Sequence, residues 1–348
     1  MRVAHIASHF GNFGDTLSSQ ALEYELLLND PSTSITKIEI RDYYTNGRFN
    51  SLLSVHIENL CQIYDQVVIG GGGFLTPYPG YKDNRSKSLI EFTDKCLNDY
   101  SAKIALLSIG YEGQLKGIDE RILLDQMKYL KEASQSGMLI NFREDAGTTQ
   151  LIEKEIITPQ AVYPDFALAT KRLDVEKTRN IVICPSGGRG NEGWDLDKSF
   201  LKSVYELCLL LIENDYSVTF ILHTLFDLKT TGLILDGFKS IEHRRKVNVI
   251  NAFNGGINIT DILNLYAKSV ATIAGRYHGA IAAITQDSLV LAPHLSAKAS
   301  VMAKKFNGIL LANRFESQSA LEEIEHGTLK DFAPQKASIN QLISRLEN

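Results

Sequence analysis

Val3-Ala4-His5-Ile6-Ala7-Ser8 runs into Gly11-Asn12-Phe13-Gly14-Asp15, and then into Leu17, Ala21, Leu22 and Leu26. A short apolar run, a glycine-bearing turn and apolar residues three and four apart spell strand, turn and helix. A continuous run of this kind suits a strand covered on both faces. The spacing predicts a helix over Thr16–Leu28, with Asp15 as its N-cap. This strand–turn–helix unit sets the expectation for the rest of the chain.

Outward from it, the same alternation continues. Strands are predicted at Val67–Ile69, Ile104–Ile109, Leu139–Phe142 and Ala161–Tyr163. After a polar stretch, Thr170–Thr178, the pattern restarts. Asn180–Cys184 reads as a strand, Phe200–Glu213 as a helix and Val218–Leu222 as a strand. Ile262, Leu265 and Tyr266 share one face of a further helix. Ala271–Ala274 and Leu289–Ala292 are strands, each with a helix after it, the first starting near Gly279. Strands alternating with helices imply parallel sheets of the α/β class. At roughly 100–200 residues per domain, the 348 residues accommodate two Rossmann-like domains, expected at 1–174 and 175–348 and facing each other across a cleft. Such sheets bind ligands beyond the carboxyl ends of their strands.

The composition excludes several classes. Lys and Arg number 36 against 41 Asp and Glu, a formal net charge of -5. Nucleic-acid binding leans on the opposite balance, so no nucleic-acid partner is expected. Cys61, Cys96, Cys184 and Cys208 form no CxxC pair, so neither a cysteine zinc site nor a disulfide framework is read, and no metal site is expected. No apolar run approaches the ~20 residues needed to cross a bilayer, and no apolar leader precedes the first strand. A cytoplasmic protein that is not an integral membrane protein is expected; a peripheral place at the inner face of the membrane stays open.

Three motifs carry chemistry. In Gly11-Asn12-Phe13-Gly14-Asp15 the glycines allow close backbone approach, and the helix behind them offers N–H groups and a positive dipole end. Asn12 and Asp15 are candidates for contact with a substrate hydroxyl; an ordinary capped turn is the plain alternative. Gly70-Gly71-Gly72-Gly73 follows Val67-Val68-Ile69 without the Lys-Ser or Lys-Thr of a Walker loop and without dinucleotide spacing. Its reading is a ligand-facing strand end or a tight turn. In Gly275-Arg276-Tyr277-His278-Gly279-Ala280, Arg276 supplies a fork of donors for phosphate or carboxylate. His278 can move a proton near neutral pH. The two share a face if the strand runs that far; the alternative is an Arg paired with a carboxylate beside a packed His. Lesser candidates are Arg143, Asp165, the loop Ser186-Gly187-Gly188-Arg189-Gly190, His223 and Lys298, all at predicted strand ends or just beyond.

Taken in order, these motifs resemble the polysaccharide pyruvyl transferase family. The resemblance rests on Gly11-Asn12-Phe13-Gly14-Asp15, on Asp65-Gln66-Val67-Val68-Ile69-Gly70-Gly71-Gly72-Gly73, on Arg143-Glu144, and on Pro164-Asp165-Phe166-Ala167. It ends with Arg276-Tyr277-His278-Gly279-Ala280-Ile281-Ala282-Ala283, Pro293 and Lys298. It implies a glycosyltransferase-B-like pair of domains and transfer of pyruvate from phosphoenolpyruvate onto two hydroxyls of a saccharide, giving a ketal. On that implication His278 and Asp15 move protons. Arg276, Arg143, Gly71, Gly72, Gly73, Ser186, Gly187, His223 and Lys298 hold the donor. Asn12, Asp15 and Asp165 face the acceptor, which belongs to the first domain. No cofactor is implied, and whether the acceptor is lipid-linked stays open. Two other readings stand beside it: a sugar-nucleotide glycosyltransferase of the same architecture, and a non-catalytic sugar-phosphate-binding protein.

Overall fold

The computed structural model describes residues 1–43, 51–75, 84–111, 120–144, 146–153, 155, 157–158, 162–188, 193–253, 258–327, 333–344 and 346. The chain forms two compact units. One comprises Met1–His9, Ser18–Phe166 and Gln335–Asn348; the other comprises Phe10–Leu17 and Ala167–Pro334. A single cut at 174/175 therefore gives way to a division after Phe166, with two short segments exchanged. Ala161, Arg189 and Gly190 lie outside the described residues.

The first unit carries six parallel strands: β1 (Arg2–Ala7), β2 (Ser34–Glu39), β3 (Gln66–Gly70), β4 (Ile104–Ile109), β5 (Leu139–Arg143) and β6 (Val162–Tyr163). Between them run α1 (Phe13–Asn29), α2 (Ser51–Ile63), α3 (Asp94–Asp99), α4 (Glu120–Gln135) and α5 (Ala146–Glu153). The sheet order is β2-β1-β3-β4-β5-β6, so the direction of winding reverses between β1 and β3. Leu53, Ile57 and Leu60 recur along one face of α2 and bury with Ile6, Val67, Ile69 and Leu106 of the sheet. Each such side chain contributes roughly 1.5–3 kcal/mol on leaving water. Thr93 starts α3 by accepting from the Cys96 N–H at 3.1 Å.

The second unit repeats the plan with β7 (Thr178–Cys184), β8 (Ser217–Leu222), β9 (Val247–Asn251), β10 (Ser269–Ala274), β11 (Leu289–Pro293) and β12 (Ile309–Leu311). Its helices are α6 (Lys198–Glu213), α7 (Asp227–Leu235), α8 (Ile241–Arg245), α9 (Ile259–Lys268), α10 (Tyr277–Thr285), α11 (Ala297–Lys305) and α12 (Ser317–His326). All pairings are parallel and the order is β12-β11-β10-β7-β8-β9. The chain leaves β7 toward one edge and returns to β10 to build the other, which is the dinucleotide-fold order with its switch between β7 and β10. Asp197 caps α6, accepting from the N–H groups of Ser199 and Phe200 at 2.9 and 3.1 Å. The last helix, α13 (Ala333–Ser344), carries the chain back to the first unit, where Ile339, Leu342, Ile343 and Leu346 are buried. Among the described residues no helix is long and apolar enough to cross a membrane.

Two local expectations are corrected. The first helix begins at Phe13, so Asn12 and not Asp15 is its cap. Asn12 Oδ1 accepts from the Gly14 N–H at 3.1 Å, and Asn12 Nδ2 donates to Asp15 Oδ2 at 2.9 Å. Strand β10 stops at Ala274, so Arg276 and His278 do not share a strand face; Arg276 is the N-cap of α10 and His278 its second residue. The Gly275 N–H still bonds the Cys184 carbonyl at 2.7 Å, and the chain turns into α10 directly after it.

Candidate active site

In the second unit the loops after β7 and β10 lie at the switch point. Arg276, the N-cap of α10 just beyond β10, is held on one side of its guanidinium. Nε donates to Asp227 Oδ1 at 3.1 Å, and Nη2 donates to the Gly187 carbonyl at 2.7 Å, to Thr224 Oγ1 at 2.9 Å and to Asp227 Oδ1. Nη1 makes no hydrogen bond among the described residues. Arg276 is a quarter exposed, whereas Asp227 is fully buried. That carboxylate also accepts from the backbone N–H groups of Gly187, His223 and Thr224, each at 2.9 Å. Asp227 thus ties the β7 loop, the β8 loop and Arg276 into one rigid frame. A buried carboxylate is tolerated only when paired and bonded in this way. The sequence reading missed Asp227; its only signal was an Asp four residues beyond a strand-end His.

His223, also buried, shares a hydrogen bond with Tyr266 Oη at 2.8 Å. Burial, with Arg276 and His278 adding to it, pushes its pKa well below the ordinary value, so the ring is neutral. Its carbonyl accepts from the Phe13 N–H at 3.1 Å, and its ring lies 4.4 Å from the Phe13 ring. The Asn12–Asp15 turn is thereby fixed onto the second unit, although the sequence reading placed it in the first domain. A Cβ added at Gly14 would fall 2.1 Å from His278 Nδ1, so the glycine is what lets the imidazole lie against the first turn of α1. The N-cap residue Arg276 makes no side-chain cap hydrogen bond to α10, whose N-terminal end carries the partial positive charge of a helix start. The geometry gathers Asn12, Asp15, Ser186, Gly187, His223, Arg276 and His278 within this unit. Lys298 lies in the first turn of α11, after the strand next to β10. Among the described residues no three metal-ligating side chains converge here.

The remaining expected residues belong to the first unit. Gly71, at φ 80°, donates its N–H to the Leu107 carbonyl at 3.3 Å, and the Gly72 carbonyl accepts from the Gly110 N–H at 3.0 Å. Gly71 and Gly72 are buried and Gly73 is exposed. The run is therefore a strand-end turn stitched to the next strand. Arg143 is buried and its Nη1 donates to the equally buried Asp165 Oδ2 at 3.2 Å. Its guanidinium lies over Gly110, where a Cβ would come within 2.6 Å. Ser108, at φ 54°, is a strained non-glycine residue at the bulged end of β4. Asn141 Oδ1 accepts from its N–H at 3.1 Å. Neither Ser108 nor Asn141 was anticipated.

The sequence model of the polysaccharide pyruvyl transferase family matches residues 12–287. No curated protein matches the sequence. Among solved structures, the chain is similar to a UDP-GlcNAc 2-epimerase from Neisseria meningitidis bound to UDP-GlcNAc, at 12% identity and TM-score 0.56, covering all of both chains. It is similar to the UDP-GlcNAc 2-epimerase of Methanocaldococcus jannaschii in complex with UDP-GlcNAc and UDP, at 12% identity and TM-score 0.54, over 99% of this chain and 100% of that one. A glycosyltransferase from Rickettsia africae aligns at 12% identity and TM-score 0.52, over 100% of this chain and 93% of that one. At such identities the likeness speaks for the fold, a glycosyltransferase-B-like pair of Rossmann units.

Proposed function

Because the chain belongs to the polysaccharide pyruvyl transferase family, we propose that it moves pyruvate from phosphoenolpyruvate onto two hydroxyls of a saccharide, releasing phosphate and closing a cyclic ketal. The observation that supports this is Arg276. Its guanidinium is pinned by Asp227, Gly187 and Thr224, its Nη1 makes no hydrogen bond among the described residues, and it stands at the N-terminal end of α10. Fixed cationic donors at a helix start suit a small dianion, and their rigidity means that no reorganisation is needed as charge builds on the leaving phosphate.

The steps follow from the donor. C3 of the enol gains a proton and becomes a methyl group, which leaves C2 electron-poor. One sugar hydroxyl adds to C2 and loses its proton. The C2–O bond to phosphate breaks, and a second hydroxyl adds to C2 with loss of its proton. His278, against the first turn of α1, is the proposed proton donor to C3. Asp15, oriented by Asn12, is the proposed acceptor of a hydroxyl proton. Ser186 and Lys298 border the same strand ends and are assigned to the donor with Arg276. His223 is neutral and bonded to Tyr266, so it serves by supporting the loop. Arg143 and Asp165 bury against each other, and we assign them to the framework of the first unit rather than to substrate. The steps as written call on no cofactor, and the acceptor is a saccharide, lipid-linked or free.

Purified protein incubated with phosphoenolpyruvate and a panel of saccharides should release phosphate only with acceptor, with a pyruvyl mass gain on the sugar. Arg276→Ala should lose both signals and keep its fold. A nucleotide diphosphate presents the same anionic chemistry to Arg276. A thermal shift with nucleotide sugars and none with phosphoenolpyruvate would move the assignment to sugar transfer.

A further inference from the structure

Three metal-ligating side chains meet in the first unit where β1 ends. His5 stands on β1 opposite Lys37 of β2, His9 follows two residues after the strand, and Glu23 comes from α1. One donor atom from each lies within 4.8 Å of the others. Glu23 Oε1 is 3.0 Å from His5 Nδ1 and 3.7 Å from His9 Nδ1. The two imidazoles are nearly perpendicular, with centroids 5.1 Å apart. His5 and Glu23 are buried, and His9 is 12% exposed along its side chain.

The neighbours of these rings fix where their protons sit. His9 Nε2 lies 3.2 Å from the carbonyl oxygen of His5, which can only accept, so Nε2 carries the proton. In the neutral ring Nδ1 is then a lone pair facing the lone pairs of Glu23 Oε1. An imidazole whose far N–H is held by a backbone carbonyl is also how metal-bound histidines are oriented. His5 Nε2 is buried with no hydrogen-bond partner among the described residues, so the surrounding protein leaves this ring only half used.

We infer that His5 Nδ1, His9 Nδ1 and the Glu23 carboxylate form a binding site for a divalent first-row transition ion of the zinc type, outside the groups assigned to pyruvyl transfer. Two imidazoles and one carboxylate make a three-ligand set that leaves a fourth position for water. With metal–ligand bonds of about 2.0–2.2 Å, neighbouring donors around a tetrahedral ion lie roughly 3.3 Å apart. The separations of 3.0 and 3.7 Å bracket that value. The imidazole pair disfavours magnesium and calcium, which take oxygen ligands. Lys37 Nζ lies 2.5 Å from Glu23 Oε2 and is half exposed, so it competes with the ion and can swing into water when the ion binds.

The test uses the full chain, stripped with a chelator and titrated at neutral pH with Zn²⁺ by calorimetry and with Co²⁺ by visible absorption. One ion per chain is expected, with a four-coordinate cobalt spectrum that lacks thiolate charge-transfer bands. His9→Gln and Glu23→Gln should each weaken Zn²⁺ binding at least tenfold with unchanged circular dichroism, and Lys37→Met should tighten it. The site is refuted by the absence of saturable one-to-one binding, by wild-type affinity in His9→Gln, by thiolate bands, or by a Lys37→Met protein that binds no more tightly.

Discussion

The imidazole of His278 occupies the space that a side chain on Gly14 would need: a Cβ there would lie 2.1 Å from Nδ1 and 2.5 Å from Cγ of the ring. Gly14→Ala should therefore act on chemistry more than on stability. Overpacking costs about 1–3 kcal/mol, while Ala in place of Gly in a helix returns roughly 0.5–1 kcal/mol. Displacing a proton-transfer group by about 1 Å costs on the order of 10²-fold in rate. The expected result is a melting temperature within a few degrees of wild type and a fall in kcat of roughly 10²-fold. Steady-state kinetics and calorimetry check both halves.

Asp227 and Arg276 should behave as one unit. Asp227→Ala strands Arg276 and leaves three backbone N–H groups without their acceptor. Breaking a buried pair from one side costs about 3–5 kcal/mol. Arg276→Ala should cost less, because the backbone donors remain on Asp227. Urea unfolding of both single variants and the double should show coupling of about 1–3 kcal/mol; simple additivity would contradict the frame described for this site.

His223 predicts a pH dependence. Its folded pKa is depressed by burial, then by Arg276 and His278, while the unfolded value is about 6.5. Above that value the ring is neutral in both states. Below it the unfolded chain takes up a proton that the folded chain refuses, so stability falls as pH drops. The slope from this one group approaches about 1.4 kcal/mol per pH unit. Unfolding free energies at pH 7.5, 6.5 and 5.5 should show a shallower decline in His223→Gln than in wild type. Tyr266 on the ring and Asp227 on the backbone N–H stay unchanged in both proteins.

Gly110→Ala should injure the first unit through Arg143. The new methyl would lie 2.6 Å from the guanidinium, which has little room to move while it bonds Asp165. A loss of about 1–3 kcal/mol is expected. Gly110→Ala and Asp165→Asn combined should cost less than their sum, since the second change frees the guanidinium to shift. Chemical denaturation of the three proteins measures this.

Inner strands were legible in the sequence and, apart from β6, edge strands were not. Val67–Ile69, Ile104–Ile109 and Ala271–Ala274 are buried on both faces and read as continuous apolar runs. Ser34–Glu39, Val247–Asn251 and Ile309–Leu311 lie at the margins of their sheets and are largely half-buried or exposed. Polar residues interrupt the first two, and the third is only three residues long. Arg276 and His278 were recognised as residues, but the assumed strand geometry failed because β10 ends at Ala274 and α10 begins at Tyr277. Asp227 was invisible because its partners are backbone groups on two loops and the Arg276 side chain from a third, which local composition does not encode. His5 and His9 carry no local signature for a related reason: no cysteine pairs with them, and Glu23 lies 14 residues beyond His9, on a helix.

The exchange of short segments between the two units bears on the order in which the protein can be made. Chains emerge from the ribosome amino end first, and domains fold as they are completed. The second unit needs Phe10–Leu17, already synthesised, and is finished at Pro334. The first unit waits for Gln335–Asn348, although most of it precedes the second. The later-encoded half can thus close first, and the earlier-encoded half depends on the final helix. Nascent chains arrested just short of that helix would lack Ile339, Leu342, Ile343 and Leu346, all buried in the finished protein, and cutting the gene at the middle would yield neither unit entire.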